Sequence, residues 1–163
     1  SGRLVHEFGA LAEGPGVGVT HHFPSPERLA GLGVEGIATI GVPKTRAATI
    51  QHFSSFTAAG GLQVQAGISL EELILRLKAL PGIGEWTAQY IAMRALRFPN
   101  AFPAGDLGLQ KAVSGEASQL APRCTEKQLL LRAEAWSPWR SYAALLLWQS
   151  LSGLPEANAG VIG

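Results

Sequence analysis

The chain has 163 residues, 47% of them apolar and 15% charged, with a formal net charge of +1. That is one domain's worth of chain, and the composition excludes disorder and coiled coil. The near-neutral charge argues against a broad basic face for gripping a polyanion, and Cys124, the single cysteine, excludes an internal disulfide, an iron–sulfur cluster and a zinc knuckle.

No apolar run approaches the ~20 residues of a membrane span. Arg3, His6 and Glu7 interrupt any apolar start, so no signal peptide is expected. The expected compartment is the reducing cytoplasm.

Residues 2–11 read as the end of a helix, with Leu4, Val5 and Phe8 on one side, and 13–18 as a Gly/Pro loop. Ser25 caps a short helix with Pro26 at its first position, and 34–40 suggests another helical turn. Pro43 opens a longer helix through Phe56, stopped by Gly60-Gly61. Ser69-x-x-Glu72 is a capping box for a helix to about Ala79, with Leu70, Leu73, Ile74 and Leu77 as its apolar stripe. Pro81-Gly82-Ile83-Gly84 precedes a helix from Glu85 to about Arg97. Residues 99–105 are a loop, and a helix follows Asp106. Thr125 caps another helix, and Ser137-Pro138 opens the last, which reaches about Leu151. With no alternating strand pattern, the expected fold is all-α, with roughly eight to ten short helices. Residues 153–163 are expected to be a loose tail.

Two places carry chemistry. The turn Leu80-Pro81-Gly82-Ile83-Gly84 leaves the start of the next helix uncovered. Its free N–H groups and the helix dipole form an anion site that needs no lysine. Such a site suits a DNA phosphate and is compatible with the low charge. On its own, the same string is also an ordinary helix–turn–helix connection. The second place is Asp106: eleven of the twelve acidic residues are Glu, and Asp106 is the only Asp. A plain N-cap is the ordinary reading of an Asp before a helix.

The string from Leu80 to Ala88 resembles the helix–hairpin–helix of the base-excision glycosylase superfamily. That resemblance implies an essential Asp about twenty residues past the hairpin at a helix start, and Asp106 stands there. Cap and catalyst are compatible, since helix N–H groups keep a carboxylate ionised and aimed. A fixed carboxylate stabilises the positive charge that develops on the sugar. It can also orient or deprotonate water; the sequence does not separate these roles.

Bifunctional relatives place a Lys where this chain has Trp86, so no Schiff base and no lyase activity are expected. The chain resembles the 3-methyladenine DNA glycosylase II family. The shared strings are Phe23-Pro24-Ser25-Pro26, Gly41-Val42-Pro43, residues 81–88, Phe102-Pro103 with Asp106, and Trp136-Ser137-Pro138-Trp139-Arg140-Ser141-Tyr142-Ala143.

In that family aromatic residues line the base pocket, and the matching positions are Trp86, Tyr90 and Trp148. Trp86 and Tyr90 share a helix face. Electron-rich rings attract a cationic alkylated purine by ~0.5–2 kcal/mol per contact. The ordinary reading of each ring is core packing, which is kept for Trp136 and Trp139. Arg140 is read as a phosphate contact or a surface ion pair, and Lys111 is equally ambiguous. His6, His21, His22 and His52 show no metal-ligand spacing, and Gln89 and Met93 receive no role.

The resemblance implies a helix–hairpin–helix glycosylase core over 1–152 without an iron–sulfur cluster. The implied activity is monofunctional hydrolysis of the N-glycosidic bond of flipped alkylated bases, with Asp106 catalytic and Gly82, Ile83, Gly84 and Thr87 on the DNA phosphate. The partner is double-stranded DNA carrying alkylated bases. A monomer in a bacterial-type, nucleoid-associated cytoplasmic location is expected. No metal and no cofactor are implied, apart from a monovalent cation that the hairpin could hold. Relatives carry a preceding segment that wedges into the flipped base's gap, and many an N-terminal β domain, so residue 1 is expected to open an N-terminally truncated fragment. The alternatives are a non-catalytic helix–hairpin–helix DNA-binding module and a glycosylase for other lesions such as hypoxanthine or uracil.

Overall fold

The computed structural model describes residues 2–12, 20–63, 67–114 and 124–151. These hold eight α-helices, one 3-10 turn and no strand beyond an isolated antiparallel bridge between Leu11 and His21. The expected loop at 13–18 and the tail 153–163 lie outside the described residues. No described helix is long and apolar enough to cross a membrane. The chain divides into two compact units, residues 1–68 with Leu75–Ile83, and Ser69–Ile74 with the chain from Gly84 onward.

The first unit holds α1 (Gly2–Phe8), α2 (Pro26–Ala38) and α3 (Lys44–Ala58). Ser25 caps α2 through its hydroxyl, which accepts from the Arg28 amide at 3.2 Å. Gly33 at φ 66 kinks α2 into two helical pieces, which is why its sequence reads as two short helices. Beyond α3, Gly60 takes a positive φ, and the Gly61 amide reaches the Phe56 carbonyl at 2.8 Å, closing the helix end. Phe8, Leu29, Ile37 and Ala47 form the core here with Leu77 and Ile83.

Helix α4 (Leu70–Lys78) starts on Ser69, whose hydroxyl accepts from the Glu72 amide at 3.1 Å. Of its predicted stripe, Leu73, Ile74 and Leu77 are almost fully covered and Leu70, at the helix start, is half-buried.

The second unit holds α5 (Glu85–Arg94), α6 (Leu107–Ser114), α7 (Glu126–Ala133), a 3-10 turn (Glu134–Trp136) and α8 (Arg140–Leu151). Thr125 and Gln128 make a reciprocal capping box at α7. α5 stops short of its expected end at Arg97. That residue sits at φ 58, outside helical space, and the Phe98 amide returns to the Ala92 carbonyl at 3.0 Å. α8 packs on α6, with Ala88, Ala92, Phe102, Leu109, Leu129 and Ala144 in the core.

Candidate active site

The loop that delivers Asp106 is pinned along its length. The Ser141 hydroxyl lies 2.7 Å from both the Phe98 and Ala101 carbonyls, which share its one proton, and its amide donates to the Pro99 carbonyl at 2.9 Å. Arg140 donates Nε to the Asn100 side-chain oxygen at 2.7 Å. Gln89, on α5, accepts from the Phe102 amide at 3.0 Å, and Gln110 donates to the Ala104 carbonyl at 3.1 Å. Ala101, Phe102, Pro103 and Ala104 are buried. A loop with this many fixed points presents the residue at its end in one orientation.

That residue is Asp106. Its Oδ1 accepts from the Leu109 amide at 2.9 Å, so it caps α6. Oδ1 also accepts from Trp148 Nε1 at 2.9 Å, and Oδ2 accepts from Trp86 Nε1 at 3.1 Å. Burial pushes the carboxyl up. The Trp148 indole, the Leu109 amide, the Trp86 indole and the Gly108 amide outweigh that and hold it below its ordinary value. It is therefore an anion across the physiological range.

The rings form a wall around this anion. Trp86 stacks on Tyr90 with centroids 5.2 Å apart and planes 19° apart, and Tyr90 meets Trp148 at 6.0 Å and 56°. Trp86 and Tyr90 remain 41% and 36% exposed, and Asp106 and Trp148 are half-buried. The structure thus brings Asp106, Trp86, Tyr90 and Trp148 together.

The turn residues are positioned by backbone constraints. Gly82 adopts φ +84, and a Cβ there would collide with Thr49 Oγ1, so glycine is required twice over. The Ile83 side chain is buried, and its amide donates to the Leu80 carbonyl at 3.1 Å, within the turn. Gly84 is the N-cap of α5, makes no side-chain cap, and faces open space where a Cβ would stand. Thr87 lies half-buried in the first turn of α5.

Several residues depart from their sequence reading. Arg140 holds the Asn100 loop instead of a surface carboxylate. Trp139 does not pack in the core: it is 59% exposed and meets Tyr142 edge-on, whereas Trp136 packs edge-on against Phe102. Gln89 gains the role it lacked. Gly108 was missed; a Cβ there would lie 2.9 Å from Asp106 Oδ1 and 3.5 Å from Trp148 Nε1. The signal available was a glycine in the first turn of an eight-residue helix, where it costs stability without a local reason. No group of three described His, Cys, Asp or Glu side chains could hold a metal ion.

No family model matches the chain. It is 40% identical over 151 residues to a probable bifunctional transcriptional activator/DNA repair enzyme AlkA of Mycobacterium tuberculosis, covering 93% of this chain and 29% of that protein. It is 32% identical over 134 residues to DNA-3-methyladenine glycosylase 2 of Escherichia coli, covering 82% and 45%. Its fold matches a 3-methyladenine DNA glycosylase from Archaeoglobus fulgidus at a TM-score of 0.75 and 25% identity, over 94% of this chain and 51% of that one. The chain therefore spans less than half the length of these two curated relatives. In fold and sequence it belongs to the helix–hairpin–helix DNA glycosylase superfamily. Within that class its sequence is similar to 3-methyladenine DNA glycosylases over the part of their length that it spans.

Proposed function

We propose that this chain is the catalytic core of a monofunctional DNA glycosylase, which hydrolyses the N-glycosidic bond of alkylated bases such as 3-methyladenine in duplex DNA. The observation that carries the reading is one ionised carboxylate held between two indole N–H groups whose rings, with Tyr90, make an aromatic wall. An N-alkylated purine is cationic, so the rings attract it and the sugar bond is already primed to break. Loss of the neutral base leaves positive charge on the sugar, which Asp106 stabilises electrostatically. A carboxyl held below its ordinary value is a weak base, so its service to the attacking water is orientation. Water adds to the sugar carbon and releases its proton to solvent. Trp86 has no amine to attack that carbon, so no covalent intermediate forms and the strand stays intact.

The same reading places a backbone phosphate on the hairpin. The first-turn amides of α5 have no acceptor within the helix, and Gly84 adds neither a side-chain cap nor a Cβ beside them, with Gly82 shaping the turn and Ile83 and Thr87 flanking it. A grip built from amides suits a chain of net charge +1. The reaction draws on side chains and water, with no metal or cofactor in any step; a monovalent cation at the hairpin would act on the grip and not on the chemistry. The protein acts as a monomer on double-stranded DNA of the bacterial nucleoid. A non-catalytic binding module has no use for two indoles bonded to its one Asp.

The test is incubation of the full-length form with a duplex containing 3-methyladenine. Free base appears while the strand survives until alkali is added. No base release, or strand cleavage with a borohydride-trapped adduct, overturns the reading.

A further inference from the structure

The two oxygens of Asp106 are held unequally. Oδ1 accepts from Trp148 Nε1 and from the Leu109 amide, both at 2.9 Å. One donor belongs to a half-buried ring on α8 and the other to the backbone of α6. Gly108 closes this side, because even a methyl group there would press on Oδ1. Oδ2 accepts from Trp86 Nε1 at 3.1 Å, and that ring is 41% exposed and stacked on Tyr90, itself 36% exposed. Freeing Oδ1 means breaking a helix cap and moving a packed ring. The side-chain donor on Oδ2 is an exposed indole, which is easier to shift than a helix cap or a packed ring.

We propose that Oδ1 is the anchor and Oδ2 the working oxygen of Asp106, with Trp86 a positioning residue that covers Oδ2 until a base enters the rings. The proposal rests on the glycosylase reading of the site. A flat cation that stacks on Trp86 and Tyr90 competes for the faces they give each other. The indole shifts, its N–H leaves Oδ2, and the oxygen loses a donor that had spread its charge. The full anionic charge then faces the sugar as positive charge develops there. The bare carboxylate is not exposed to solvent beforehand, so it stays aimed without a bound base.

The indole Nε1–H resonances of the four tryptophans, followed by NMR against pH, test this without DNA. Two of them move in step with Asp106 ionisation and lose that dependence in Asp106→Asn. Phe at either position keeps a ring but removes the donor. Trp148→Phe raises the pH at which Asp106 ionises more than Trp86→Phe does. In base release, Trp148→Phe lowers kcat about tenfold more than Trp86→Phe, and the loss in Trp86→Phe falls mainly on KM. Circular dichroism establishes that each variant is folded. Indoles that ignore Asp106, or equal effects of the two substitutions on its ionisation and on kcat, overturn the proposal. The two failures are distinguishable: an inactive protein with titrating indoles removes the glycosylase reading, and an active one with equal effects removes this inference.

Discussion

Helices α5 and α6 both begin at the end of a Gly/Pro-containing loop, and their first turns are opposites. α5 starts on Gly84 with no side-chain cap, and a side chain added at Gly84 would meet open space. α6 starts under Asp106, whose carboxylate accepts from the Leu109 amide and from two indoles. The same backbone device, a positive helix end, is left open in one case and filled by the chain's own anion in the other. An open end is free to take an anion from outside, which in the proposed reading is a backbone phosphate. A filled end holds an anion of the protein in a fixed direction for chemistry.

Changing either helix start sharpens or breaks this contrast. The largest effect falls on the filled end. Asp106→Asn keeps one capping oxygen but sets its NH2 against an indole N–H, so stability at neutral pH falls by about 1–2 kcal/mol, while base release drops by at least ~100-fold because the charge facing the sugar is gone. Single-turnover release and a melting curve measure both. Next comes the turn before the open end. Gly82→Ala forces a Cβ into Thr49 at φ +84 and lowers stability by about 2–3 kcal/mol, read by urea unfolding. The smallest effect comes from making α5 imitate α6. Gly84 has an extended backbone and open space beside it, so Gly84→Asp fits and caps the helix. Stability rises by a few tenths of a kcal/mol while duplex affinity falls about tenfold, because the new carboxylate occupies the anion position. Unchanged affinity in that variant would remove the phosphate from α5.

What was legible in the sequence was whatever local chemistry dictates. Ser25, Ser69 and Thr125 announce helix starts because a cap needs only its own next turn. Leu73, Ile74 and Leu77 announce a buried face by spacing alone. Trp86, Tyr90, Trp148 and Asp106 were nameable through resemblance, and a shared helix face joined the first two. That both indole N–H groups end on the one carboxylate was not legible, because the contacts join residues 20 and 42 positions apart. Nor was the work of Arg140, Ser141 and Gln89. They bond to backbone carbonyls, to an amide and to an asparagine in one loop, and such partners leave no signature in residue type. Trp139 misled because a large aromatic side chain is usually covered, and here it lies on the surface.

The most direct test of the held anion is the pH dependence of base release, taken as the difference between wild type and Asp106→Asn under single-turnover conditions. The carboxyl is held below its ordinary value, so the active ionised form persists as pH falls and is lost only through that lowered value. The Asp106-dependent rate should hold level down to the ordinary aspartate range, about 3.9, and fall only below it. An acid limb at or above that range would mean a carboxyl that the indoles do not hold, and would contradict the arrangement described here.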